Sequence, residues 1–151
     1  MRFSNGTGLE FARQQMASRH RDLQAWKLAD SVRQFIAALM TRSDVSRDFD
    51  FCKQALTASR SACRNICEGF YRFGHPEFAH FVNIARGSLG ELLDTVDDAR
   101  LAGYLSPTEC QQLEAKIQHA IAAANSLYSH LLSTPTPPRS PKHTTPTKPS
   151  R

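Results

Sequence analysis

Nowhere does the chain hold an apolar run near the about 18 residues that a membrane-crossing helix requires. No apolar stretch follows the N-terminus either, so a secretory signal peptide is not expected. Cysteine is scarce. Cys52, Cys63, Cys67 and Cys110 match no disulfide framework in a chain of this length and helical pattern, and they point to reduced thiols in a cytoplasmic protein. Proline is nearly absent from the body of the chain, because six of the eight prolines lie beyond Ser133. A single charge sign is lacking as well. The net charge is +5, yet Leu23–Leu132 carries 11 basic and 12 acidic residues. The excess sits at the ends, with four basic and two acidic residues in Met1–Asp22 and four basic and no acidic ones in Ser133–Arg151. A globally basic nucleic-acid binder is therefore not indicated.

Motifs of catalysis and metal binding are missing too. Gly87-Ser88-Leu89-Gly90 lies inside a helical pattern rather than between a strand and a helix, so it is not a phosphate-binding loop. Glu77-x-x-His80 has the spacing of a di-iron bundle, but such a site needs a second copy and two further carboxylates. Cys63 and Cys67 lie one helical turn apart without a Cys or His pair to complete a metal site. No enzyme activity, cofactor or metal is expected.

What is present is helical periodicity in four blocks. The first runs from about residue 23 to 41, with Leu23, Trp26, Ala29, Val32, Ile36 and Leu39 on one face and Asp22 as its expected N-cap. The second covers about 51 to 71 and carries a stripe of small residues, including Ala55, Ser59, Ala62 and Cys63. Gly74 and Pro76 mark the break before the third, about 76 to 102, which ends at Gly103. Its apolar set is wider than one stripe, so two covers are expected, the second from another subunit. The fourth opens on Ser106-Pro107-Thr108-Glu109, a capping box with proline at the first helical position. Short connections between long helices favour antiparallel neighbours. The expected fold is an all-α, up-down-up-down four-helix bundle over residues 22–132. A flexible arm (1–21) precedes it, and a Pro/Thr-rich basic tail (133–151) with no means of forming a core follows it.

The order of several short motifs resembles a known family. Asp22-Leu23 with Trp26-Lys27, Gln54, Asn65-Ile66-Cys67-Glu68-Gly69, Glu77-Phe78 with Phe81, Ala85-Arg86-Gly87-Ser88 with Glu91-Leu92, and Gly103-Tyr104-Leu105 follow one another as they do in the small bacterial four-helix-bundle proteins encoded within intervening sequences of 23S rRNA genes. One departure is Cys63, where the family commonly has proline, and it implies a straighter second helix. The resemblance implies a bundle that assembles as a homopentamer. It also implies kinship with the accessory protein of diversity-generating retroelements, a basic pentamer that binds a reverse transcriptase and nucleic acid.

Two sets of residues stand out. Asn65, Glu68 and Gly69 at the end of the second helix, with Gly87 and Ser88 on the third, are expected to serve structure. The polar members satisfy one another or pair with Arg72 or Ser88, and the glycines permit close helix approach. The basic residues of the second helix are the binding candidates, with Arg60 and Arg64 projecting together at i and i+4 and with Lys53 and Arg72 secondary. Arg139 and Lys142 of the tail would add salt-dependent phosphate affinity. The leading expectation is a non-enzymatic oligomeric adaptor for structured RNA or DNA, or for a nucleic-acid enzyme such as a reverse transcriptase. The alternative is a self-assembling scaffold, in which the basic face of one subunit meets the acidic third helix of the next.

Overall fold

The computed structural model describes residues 17–137. Among them are four α-helices and no strand: α1 Gln24–Leu39, α2 Phe49–Tyr71, α3 His75–Leu101 and α4 Pro107–Ser133, preceded by one 3-10 turn, His20–Asp22. Most of the arm and the tail, including Arg139 and Lys142, lie outside the described residues.

Each helix end has a local cause. Asp22 does not cap α1, as the sequence had suggested. Its carboxylate closes the preceding turn instead, accepting from the Arg19 N–H at 3.1 Å and the Ser18 hydroxyl at 3.2 Å. Leu23 then occupies the N-cap with no side-chain bond. Helix α2 begins two residues earlier than its apolar period indicates, because the Asp48 carboxylate accepts from the Phe51 N–H at 3.1 Å. Asp48 also accepts from the Tyr104 hydroxyl at 2.8 Å, which ties the start of α2 to the end of α3. Gly74 takes φ 105°, a conformation costly for any residue with a Cβ, and so turns the chain into α3. The capping box of α4 forms as expected, with the Glu109 N–H donating to Ser106 Oγ and the Ser106 N–H donating to Glu109 Oε2.

Gly74, the N-cap of α3, has no side chain to cap with. The missing acceptor comes from far along the chain. Thr136 Oγ1 accepts from the His75 N–H at 2.9 Å, and the His75 ring donates from Nδ1 to the Thr134 carbonyl at 2.7 Å. The segment after α4 is thereby fastened to the start of α3.

Every helix packs on its sequence neighbours, and α1 closes the circuit against α4. Each end contact joins the end of one helix to the start of another. His20 meets Tyr71, Tyr104 meets Asp48, Arg100 reaches Glu114 at 2.6 Å, and Arg42 pairs with Glu109. Val32, Ile36, Ile66, Val82, Leu89, Leu92, Ile117 and Leu127 form the inaccessible centre, where each branched side chain contributes about 1.5–3 kcal/mol of burial.

The wide apolar set of α3 is covered within the chain, by α2 on one side and α4 on the other. Ile84 is the member left 39% exposed. The small residues of α2 do bury against α3, and Gly69 is the glycine with the closest surroundings. A Cβ placed there would lie 2.6 Å from Phe78 Cδ2 and 2.8 Å from Phe81 Cβ. Gly87 and Gly90 are different. A Cβ at either meets nothing within 4 Å, so neither lies in a helix contact within the chain. Each residue of a helix is turned about 100° from the last. Ser88 therefore faces α2, where its hydroxyl lies 2.8 Å from that of Ser61, while Gly87 beside it faces outward.

Candidate nucleic-acid interface

The outer face of α2 divides into three parts. At its middle, Arg60 and Arg64 stand one turn apart, exposed, with no ion pair or hydrogen bond to any described residue. They flank a shallow depression of about 330 Å³ that Thr57, Ser61, Asn65 and Glu68 complete. Asn65 is committed to structure: its Nδ2 donates to the Ser61 carbonyl at 2.9 Å and to Ser61 Oγ at 3.1 Å. The chain Asn65–Ser61–Ser88 fixes the floor of the depression to α3. Two uncommitted guanidinium groups above a fixed polar floor can receive phosphate or carboxylate oxygens in pairs.

Toward the start of α2 the surface changes sign. Lys53 lies in a groove of about 530 Å³ between α2 and α3 with Asp50, Glu91, Asp94 and Asp98. The groove holds four carboxylates to one ammonium, so Lys53 is not joined to the Arg60–Arg64 pair in a continuous basic surface. Arg72, at the far end, is also separated. Its guanidinium pairs with Glu68 and lies 3.6 Å from Glu77, and it sits over the Phe81 ring at 5.3 Å. Glu68 is thus held by Arg72. Of the four basic candidates on α2, the structure brings together two, Arg60 and Arg64.

The end of α2 also carries an aromatic ledge that helical periodicity did not single out. Tyr71 lies edge-on to His20, with centroids 5.6 Å apart, and its hydroxyl is 3.3 Å from His20 Nδ1. His20 in turn lies edge-on to Trp26 at 5.3 Å, and Arg21 and Arg33 both sit over the Trp26 ring. Burial, then the charges of Arg21 and Arg19, hold the His20 imidazole below its ordinary pKa. The available sequence signal was the run Phe70-Tyr71-Arg72-Phe73, in which aromatic residues alternate with a cation just where a helix ends.

The remaining titratable groups serve the fold. Burial pushes the Cys63 thiol up to about 11, which leaves it a core residue rather than a nucleophile. The Arg42 guanidinium first, and the Ser106 N–H second, pull the Glu109 carboxyl down to about 2. Among the described residues no group of three or more His, Cys, Asp or Glu side chains is arranged to hold a metal ion. No helix there is long and apolar enough to cross a membrane.

A family model described as 23S rRNA-intervening sequence protein matches residues 21–126. No curated protein matches the chain.

Proposed function

Because the chain belongs to the 23S rRNA-intervening sequence protein family, we propose that it acts as a non-enzymatic, oligomeric adaptor that holds structured nucleic acid through phosphate contacts. The assembly is a homopentamer, as its family resemblance implies, and it works in the cytoplasm. A nucleic-acid-processing enzyme such as a reverse transcriptase is the protein partner that the same resemblance suggests. The observation that carries the reading is the pair Arg60 and Arg64, exposed and uncommitted over a floor of hydrogen-bonded Ser61 and Asn65. Arg139 and Lys142 of the tail add non-specific affinity.

Fluorescence anisotropy with a labelled RNA hairpin, titrated at several salt concentrations, tests it. The double variant Arg60→Ala/Arg64→Ala is expected to bind more weakly, with the slope of log K against log salt reduced by about one for each arginine. A version ending at Pro137, which keeps the Thr136 cap, is expected to retain this binding with a shallower slope. Full-length protein that binds no nucleic acid at low salt would overturn the reading.

The acidic groove beside the two arginines favours a second reading. Asp50, Glu91, Asp94 and Asp98 on one copy offer a counterpart to Arg60 and Arg64 on another, and a head-to-tail contact of this kind builds a ring when its rotation closes. Light scattering separates the two. A double variant that keeps its mass but loses RNA supports the adaptor, whereas one that falls to monomers supports the scaffold.

A further inference from the structure

The charges of the bundle are segregated along its axis. One half comprises the start of α1, the end of α2, the start of α3 and the end of α4 (residues 17–31, 60–88 and 118–137). It holds seven basic side chains against four acidic ones. The other half (32–59 and 89–117) holds six basic against nine acidic. The positive pole is also where the described chain begins and ends, at Ala17 and at Pro137 beside the Thr136–His75 bond. Beyond those points the sequence adds six further basic residues against one acid.

This pole carries two of the three exposed Phe and Tyr rings among the described residues, the third being Phe49 at the acidic pole. Tyr71 is 64% exposed and Phe73 53% exposed, although both are large rings whose burial would favour folding. Phe70 at 5.1 Å and His20 at 5.6 Å both stand steeply inclined to the Tyr71 ring, and the two contacts hold it as a plate. Arg19 and Arg21 lie on the adjoining turn. A braced ring open to solvent, with a second ring two residues on and guanidinium groups beside them, is the combination on which unpaired bases stack while their phosphates are neutralised. A duplex, whose bases are already stacked, has no use for the plate.

We propose that the positive pole binds single-stranded nucleic acid, with bases stacking on Tyr71 and Phe73 and the phosphate backbone running past Arg19 and Arg21. The inference rests on the adaptor reading and adds to it the strandedness of the ligand and the site of base contact. Loops and single-stranded flanks of a structured RNA engage the pole, and Arg60 and Arg64 on the same helix track the phosphates leading away from it.

Trp26 is the single tryptophan of the chain and touches His20, which touches Tyr71, so it reports on this ledge. The full-length protein is titrated with a short oligoadenylate, and both Trp26 emission and the anisotropy of a labelled oligoadenylate are followed. Wild type is expected to bind with a change in Trp26 emission. Tyr71→Ala and Phe73→Ala are each expected to weaken binding about fivefold to a hundredfold, with the salt slope unchanged because no charge is removed. Tyr71→Phe keeps the ring and is expected to bind like wild type, which separates loss of stacking from loss of fold. Oligoadenylate binding that is unaltered in Tyr71→Ala, or that leaves Trp26 emission unchanged, would overturn the proposal while leaving the adaptor reading in place. A Tyr71→Ala protein of altered oligomeric mass would also overturn it, by assigning the plate to a neighbouring copy. Failure to bind any nucleic acid, hairpin or single strand, would overturn both.

Discussion

Gly69→Ala probes the α2–α3 contact at the glycine that has no room for a Cβ. The added methyl lies 2.6 Å from Phe78 Cδ2 and 2.8 Å from Phe81 Cβ, well inside the about 3.5–4.0 Å at which carbon atoms rest. The two neighbours respond differently. The Phe78 ring swings about its own bonds, although it packs edge-on to Phe70 at 6.1 Å. Phe81 Cβ is fixed to the α3 backbone, so relief there requires the helices to part. Overpacking of this kind costs about 1–3 kcal/mol. Alanine returns up to about 1 kcal/mol of backbone entropy, and less here because residue 69 belongs to the last turn of α2. The expected net loss is about 1–2 kcal/mol, a fall in Tm of roughly 4–8 °C for a domain of this size. Thermal unfolding by far-UV circular dichroism measures it, at one protein concentration so that assembly does not shift the result. Gly87→Ala and Gly90→Ala serve as internal controls. Neither meets an atom within 4 Å, so each is expected to raise stability by about 0.5–1 kcal/mol. Combining Gly69→Ala with Phe78→Leu is expected to cost less than the two single losses together, since the smaller side chain vacates part of the space. Gly69→Ala as stable as wild type would refute the reasoning. A loss at residue 87 or 90 would show that another surface covers α3 there in the assembled protein.

Three further outcomes are expected. Asp48→Ala removes the N-cap of α2 and is expected to cost about 1 kcal/mol from that alone, with the stranded Tyr104 hydroxyl adding to it. Asp48→Asn keeps the oxygen that caps the Phe51 N–H but replaces the acceptor of the Tyr104 hydroxyl by an NH2, so urea titrations are expected to show the capping share of the loss recovered. The folded Glu109 carboxyl titrates at about 2, below its unfolded value, so its stabilisation is present above the ordinary carboxylate range of about 4.3 and is lost as pH falls toward 2. Glu109→Gln is therefore expected to melt lower than wild type near neutrality and to converge with it near pH 2, and melting curves that stay apart in acid would contradict the assignment. Native alkylation followed by peptide mass spectrometry is expected to label the half-buried Cys67 before Cys63, whose thiol is buried and held at about 11.

The fold was legible wherever a residue acts on its own chain neighbours. Ser106 with Glu109, Pro76 after Gly74, and Gly103 each set a helix boundary through local bonds, and the apolar spacing of Val32, Ile36, Leu89 and Leu92 marked the buried sides. Errors came where a side chain had two uses. Asp22 closes a turn instead of capping α1, and Asp48 starts α2 early by accepting from the Phe51 N–H while its other oxygen accepts from Tyr104. The rotation of α3 about its axis was illegible as well. A difference of one residue decides whether Gly87 or Ser88 faces α2, and only the packed helices settle it. The same limit applied to the candidate site. Helical spacing alone puts Arg60 and Arg64 on one face, but Lys53 and Arg72 depend on what the neighbouring helix brings opposite them: Glu91, Asp94 and Asp98 for the one, Glu77 for the other. The aromatic ledge joins residues 51 positions apart, His20 and Tyr71, and no local pattern announces such a meeting.

The bond from the His75 N–H to Thr136 sets an order of events. A helix start is ordinarily finished by the residue just before it, so it is complete as soon as it leaves the ribosome. Helix α3 begins with a glycine that has nothing to offer, and its acceptor is encoded after the whole of α4. During synthesis its first turn stays open until the last helix has emerged and come to rest. Completion of that turn is therefore a late signal that the bundle has closed, and a nascent chain halted before Thr136 carries a frayed end beside the aromatic ledge.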